Sequence, residues 1–173
     1  KLRFHNIPIG QNPLDLWAIQ HILWEVQPDF VVATGTGAGG LPIYLAQALD
    51  GLGLEKSRIL AVDPGTPAPE VVQHFLRKKY VEFVKGEPAE PGLVSTIQKQ
   101  VKGKNVVVLL NAVQNADRVL EQLHAYAPLV SSGSYLIVEY TEADALAGRV
   151  GAERGPYDAV QQFLGEDVGR GFE

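Results

Sequence analysis

Gly35, Thr36, Gly37, Gly39 and Gly40 fall in a single turn, Gly-Thr-Gly-Ala-Gly-Gly, directly after the apolar run Phe30-Val31-Val32-Ala33-Thr34. Such a turn can hold a nucleotide. Glycine lets backbone approach a ligand closely, and the helix that follows offers free N–H groups at its N-terminus. A second apolar run, Ile59-Leu60-Ala61-Val62, ends at Asp63, whose carboxylate can accept ribose hydroxyls. Strand, glycine turn, helix, strand, acid is the order of a nucleotide-binding βαβ unit, although the glycines depart from strict GxGxxG spacing. The competing reading of Asp63 is a cap on the loop that Pro64 opens.

Those residues need a scaffold that brings strand ends together. Apolar residues at helical spacing (Leu14, Trp17, Ile19, Ile22, Leu23, Val26) predict a helix over Leu14 to Val26, stopped by Pro28. Before it, Lys1 to Pro13 reads as an irregular arm. Strands are predicted at Phe30 to Thr34, Arg58 to Asp63, Tyr80 to Val84, Asn105 to Leu110 and Ser134 to Tyr140. Helices are predicted at Gly39 to Leu49, Glu70 to Lys79, Gly92 to Val101, Ala116 to Tyr126 and Tyr157 to Leu164, with a loop over Thr141 to Arg154. The nearly continuous apolar run before Asn111 suits a parallel strand buried on both faces. Strands that alternate with helices call for an α/β fold: a doubly wound, mostly parallel, Rossmann-like sheet in three αβα layers. Ligands of such sheets sit beyond the strand C-termini. The candidate positions are therefore Thr34 to Gly37, Asp63, Asn111 to Gln114 and Glu139 to Thr141, whereas Lys85 is expected to be exposed.

Composition excludes several function classes. The chain has 173 residues, enough for one domain, here 1–173, divided into an arm and helix (1–27) and a core (28–173). Its net charge of -5 argues against a broad nucleic-acid surface. No apolar run approaches the roughly 18 residues that span a bilayer, so no membrane partner is expected and a cytoplasmic location is the default. With no cysteine, thiolate metal sites and cysteine nucleophiles are excluded. The absence of methionine and the ending at Phe172-Glu173 lean toward a trimmed or redesigned chain. His5, in the N-terminal arm, reads as a surface residue. His21, His74 and His124 read as satisfied or exposed helical residues. Trp17 and Trp24, on one helical face, read as core or partner packing.

Several stretches, taken in order, resemble the cephalosporin hydroxylase family. They are Gln11-Asn12-Pro13-Leu14-Asp15-Leu16, Pro28-Asp29, Gly35-Thr36 with Gly39-Gly40, Ala61-Val62-Asp63, Tyr126-Ala127-Pro128-Leu129-Val130, Gly133-Ser134-Tyr135-Leu136-Ile137-Val138-Glu139, and Gly155-Pro156 with Ala159-Val160 and Phe163-Leu164. That family is similar to class I S-adenosylmethionine (SAM)-dependent O-methyltransferases, including rhamnosyl O-methyltransferases. The resemblance implies SAM as cofactor, a small hydroxylated molecule or sugar as substrate, and further strands that complete the sheet beyond this chain. It places SAM on Gly35, Thr36, Gly37, Gly39, Gly40, Asp63 and Asn111. It also implies a magnesium ion held by carboxylates in a Leu-Asp-Ser-Asp-His motif after the fourth strand and a Glu-Asp-Thr motif after the fifth, with the motif histidine as a base.

This sequence departs from the family pattern at those motifs. The fourth-strand motif reads Leu110-Asn111-Ala112-Val113-Gln114, the fifth reads Glu139-Tyr140-Thr141, and Ala33 stands where an acid should precede the glycine turn. Glu139 is the surviving acid and the one catalytic candidate. A single carboxylate is a poor match for magnesium, which demands near-octahedral oxygen ligation. The expectation is a methyltransferase-like domain with a nucleotide-type pocket, a degraded magnesium site and weak or no turnover. The alternative is a pseudoenzyme or engineered binding scaffold that uses an emptied, less polar pocket. A third reading is a homo-oligomer formed through an exposed aromatic face.

Overall fold

The computed structural model describes residues 2–111, 115–141 and 154–172. Five parallel strands form the central sheet: β3 (Phe30–Thr34), β4 (Arg58–Asp63), β5 (Val81–Lys85), β6 (Val106–Leu110) and β7 (Leu136–Val138), in the spatial order β5-β4-β3-β6-β7. The chain runs outward from β3 through β4 to β5, then returns to β6 on the other side. A crevice therefore opens between the exits of β3 and β6, the usual ligand position in such sheets.

Alternation along the strands builds two cores. Val31, Ala33, Ile59, Ala61 and Leu109 face a layer that contains α1 (Pro13–Val26), α2 (Gly40–Gly51), α3 (Pro69–Gln73) and α4 (Phe75–Tyr80). Val32, Leu60, Val62, Val108 and Leu110 face α5 (Pro91–Val101), α6 (Ala116–Tyr126) and α7 (Pro156–Gly165). This is the period-two pleat of a sheet covered on both sides, and it gives the αβα architecture expected from the sequence. Ala33 is fully buried in the first core, so it belongs to the packing under the cleft and not to the cleft itself.

Several expectations change. The N-terminal arm is not irregular: β1 (Arg3–Phe4) and β2 (Ile7–Pro8) pair antiparallel around His5 and Asn6, whose φ values are 49° and 62°. Two left-handed residues between short strands make the tight hairpin turn whose twist matches the strands. The helix expected over Glu70 to Lys79 is two helices. His74 is extended (φ -65°, ψ 136°) and its ring nitrogen caps α4, accepting from Leu76 N at 3.3 Å. Tyr80 closes α4 with its ring buried, which starts β5 one residue later than expected and carries it to Lys85. The last strand is only Leu136–Val138. Trp17 and Trp24 are not core residues; they are 70% and 59% exposed on the outer face of α1. Among the described residues, no helix is long and apolar enough to cross a membrane.

Candidate functional site

The strand exits lie along one edge of the sheet, and the glycine turn leaves β3 at its centre. Gly35 has φ 62°, and a Cβ there would lie 2.3 Å from the Asn111 carbonyl oxygen. Only glycine lets the turn fold this tightly against the exit of β6. Gly40 opens α2 under the N-terminal hairpin, where an added Cβ would lie 2.1 Å from Pro8 O. Gly37, by contrast, has no atom within 4 Å of its virtual Cβ, so its open side faces free space in the cleft.

Asp63 ties this turn to the exit of β4. Its Oδ2 accepts from Gly37 N at 2.7 Å and its Oδ1 from Gly65 N at 2.8 Å. The loop-capping reading is thus met, and it leaves room for more: a carboxylate has about four lone-pair sites, two of them used here. Beside Asp63 is a small cavity of about 90 Å³ lined by Thr36, Gly37, Thr66, Phe83 and Lys85 among others. Lys85 pairs with Asp63 across β4 and β5. Lys85 ends β5 one position beyond the expected strand, and its side chain is exposed as the sequence predicts.

Two polar atoms in this region are buried without a hydrogen-bond partner among the described residues: Thr36 Oγ1 and Asn111 Oδ1. The other end of the Asn111 amide is committed, with Nδ2 donating to Gly35 O at 2.5 Å. Buried polar atoms are seldom left unpaired, so each of these two can still form a hydrogen bond with a group that reaches it.

Glu139 follows β7 and is 8% exposed. Its Oε2 accepts from Gln11 Nε2 at 3.2 Å. Gln11 is a site neighbour that sequence reasoning did not assign a role; its place in the Gln-Asn-Pro stretch was the available signal. Tyr140 has φ 64°, and its hydroxyl lies 2.9 Å from the point where a Gly10 Cβ would stand. Glu139 and Tyr140 line a groove of about 390 Å³ against α1. β4 and β7 are three strands apart in the sheet order, which puts Glu139 about 14 Å from Asp63 at the usual ~4.8 Å per strand. The structure thus gathers the glycine turn, Asp63 and Asn111 and sets Glu139 at the far end of the same edge. Ala112, Val113 and Gln114 lie outside the described residues, as does 142–153.

Comparison with known proteins agrees with this architecture. The family model described as Rhamnosyl O-methyltransferase/CmcI matches residues 1–173. The rhamnosyl O-methyltransferase of Mycobacterium tuberculosis (strain ATCC 25618 / H37Rv) is 28% identical over 169 residues, which cover 96% of this chain and 67% of that protein. The chain thus spans about two thirds of the curated relative's length. A CmcI structure with Mg and SAM superposes with TM-score 0.66 at 12% identity, over 85% of this chain and 61% of that one. A CmcI structure with S-adenosylhomocysteine (SAH) gives TM-score 0.60 at 14% identity, over 80% of this chain and 66% of that one. At these identities the structural likeness is one of fold: the class I methyltransferase sheet.

Proposed function

We propose that this chain, which belongs to the Rhamnosyl O-methyltransferase/CmcI family, is a single O-methyltransferase-like domain that binds SAM on its glycine turn and turns over weakly or not at all. The observation that carries the reading is the Asp63 carboxylate joined to Gly37 N at 2.7 Å, with Thr36 Oγ1 and Asn111 Oδ1 buried and unpaired nearby. In this reading Gly35, Thr36, Gly37, Gly39 and Gly40 hold the polar end of the ligand by backbone approach. Asp63 accepts from the ribose, and the 90 Å³ cavity takes part of the nucleoside. That volume is small, so most of the guest rests in the open cleft. Asn111 Oδ1, a bare acceptor, faces a donor on the ligand.

SAM, when bound, supplies an electrophilic methyl group. The chain's own part is then positioning, since in-line approach of an oxygen nucleophile accounts for much of such a rate. Glu139 is the acid placed to hold the substrate hydroxyl, at the far end of the edge from Asp63.

Magnesium does not fit these residues as well. Among the described residues at the exits of β6 and β7, Asn111 offers an amide, Glu139 a carboxylate and Tyr140 a phenol, and the amide is turned toward Gly35 O.

Calorimetry with SAM and with SAH tests the reading. Binding of both is expected without added magnesium. Failure of both to bind overturns it. The metal half has its own test. In Asn111→Asp, a carboxylate replaces the donor now 2.5 Å from Gly35 O, setting two acceptors face to face. Without metal this variant is expected to lose about 1–3 kcal/mol in urea unfolding, the usual cost of an unpaired buried polar group. Adding Tyr140→Asp should bring magnesium affinity, with stability recovered as magnesium is titrated in. A double variant that still binds SAM but gains no magnesium affinity refutes the placement of the metal position.

A further inference from the structure

The N-terminal hairpin meets the junction of α3 and α4 through two imidazoles. His74 Nε2 and His5 Nδ1 are 3.2 Å apart, with ring centroids 4.9 Å apart at 80°. Phe4 flanks His5 at 4.7 Å and Phe75 stacks on His74 at 4.9 Å. The cap of α4 sets the proton positions. His74 Nδ1 accepts from Leu76 N at 3.3 Å, so it carries no proton. The proton of the neutral ring is then on Nε2, which donates to a bare His5 Nδ1.

We propose that the His5–His74 pair is a latch, opened by acid, that holds the hairpin and α3 against the glycine turn.

Both partners of the latch touch that turn. The hairpin presents Pro8 O 2.1 Å from the virtual Cβ of Gly40, and α3 presents Val71 Cγ1 2.9 Å from that of Gly39. Ala68 N, at the start of α3, also donates to Ala38 O at 3.3 Å. A two-stranded hairpin is marginal by itself, and this one is two residues per strand around two left-handed residues. Ile7 and Ile9 anchor its second strand in the core, and the imidazole pair ties its turn to the start of α4.

A proton entering the pair must break something. On His74 Nδ1 it displaces the Leu76 cap; on His5 Nδ1 it removes the acceptor. The charged groups on the elements packed around the pair offer little compensation. They are Arg3 on β1, Glu70 on α3, Arg77, Lys78 and Lys79 on α4, and Asp50 on α2. Arg3 is turned to Asn6 O at 2.6 Å, and Lys79 is held by Asp50 at 2.9 Å and Glu55 at 3.3 Å. Glu70 is the one other carboxylate among them. Burial first, and the His5 charge second, lower the pKa of His74. The folded state thus binds the proton less readily than the unfolded chain. The stabilisation is full above the ordinary imidazole value of about 6.5 and is lost as pH falls below it. The same geometry disfavours a metal bridge: a cation on His74 Nε2 would drive the ring proton to Nδ1, against the Leu76 N–H.

Amide hydrogen exchange, corrected for intrinsic rates, tests the latch at about pH 8 and about pH 5.5, either side of the imidazole value. Wild type is compared with His5→Asn, which keeps a residue tolerant of the left-handed turn, and His74→Asn, which keeps a helix cap. In wild type, protection at Ile9, Gly39 and Ala68, whose N–H groups donate to Leu2 O, Thr36 O and Ala38 O, is expected to fall about tenfold on acidification, the size of one lost hydrogen bond. In both variants it should be low and unchanged with pH. Constant wild-type protection, or the wild-type pH response in either variant, overturns the proposal. Histidine-ring nitrogen NMR at the higher pH supplies a check independent of folding: His74 should be protonated at Nε2 and bare at Nδ1, and the reverse tautomer overturns the latch. SAM is the ligand probe. Its affinity should fall with acid in wild type and stay level in His5→Asn. A protein that binds no SAM at either pH refutes the functional reading above, while exchange and tautomer still decide the latch.

Discussion

Gly35→Ala is expected to cost about 2–5 kcal/mol of folding stability, the sum of roughly 1–2 for a left-handed alanine and about 1–3 for overpacking. The residue sits at φ 62°, and its new methyl carbon would arrive 2.3 Å from the Asn111 carbonyl oxygen. Neither neighbour yields cheaply, because both are backbone at the exits of paired central strands. The bond from Asn111 Nδ2 to Gly35 O would be lost with the shift. In a thermal melt the midpoint should drop by about 10 °C for a chain of this size. Gly37→Ala is the internal control. Its φ is 52° and its virtual Cβ has no neighbour within 4 Å, so it should cost only about 1–2 kcal/mol while adding a methyl group to the cleft and weakening SAM. Equal stability losses in the two variants would show that close approach to β6 is not what Gly35 provides.

Asp63→Asn should uncouple ligand binding from folding in the other direction. The carboxylate now accepts from two backbone donors, Gly37 N and Gly65 N. An amide can accept on one side only, and its NH₂ would face a backbone N–H on the other. Solvent reaches this group in part, so the stability loss is expected to be about 1–2 kcal/mol, below that of a buried charged bond. The effect on SAM should be larger: about 100-fold or more, since the variant loses a ribose acceptor and also lets the turn that lines the cleft move. Urea unfolding without ligand and calorimetry with SAM separate the two quantities. An Asp63→Asn protein that loses stability but binds SAM as wild type does would reduce Asp63 to the loop cap that was its competing reading.

Much of the scaffold could be read from local pattern. β3 and β4 fall where the apolar runs placed them. Period-two burial on both faces of Phe30–Thr34 and Val106–Leu110 follows from runs of β-branched and leucine residues, which need helices on both sides. The glycine turn and Asp63 were likewise legible, because a short βαβ unit brings its own ends together.

What the chain order could not show is which remote side chains complete the edge. Tyr80 reads as a strand residue by type, but burial of its ring against the core closes a helix there, and β5 starts one position later than expected. Ala33 looks like a lost pocket acid in sequence, yet its side chain lies in the sheet core. The His5–His74 pair spans 69 residues and the Gln11–Glu139 bond spans 128. Periodicity and turn chemistry act over a few residues, so by themselves they determined the central strands β3, β4 and β6, the long helices and the glycine turn of this protein. Contacts between positions so far apart exist only once the hairpin, the glycine turn and the strand exits share one edge, because only packing sets the distance between groups that the chain does not join.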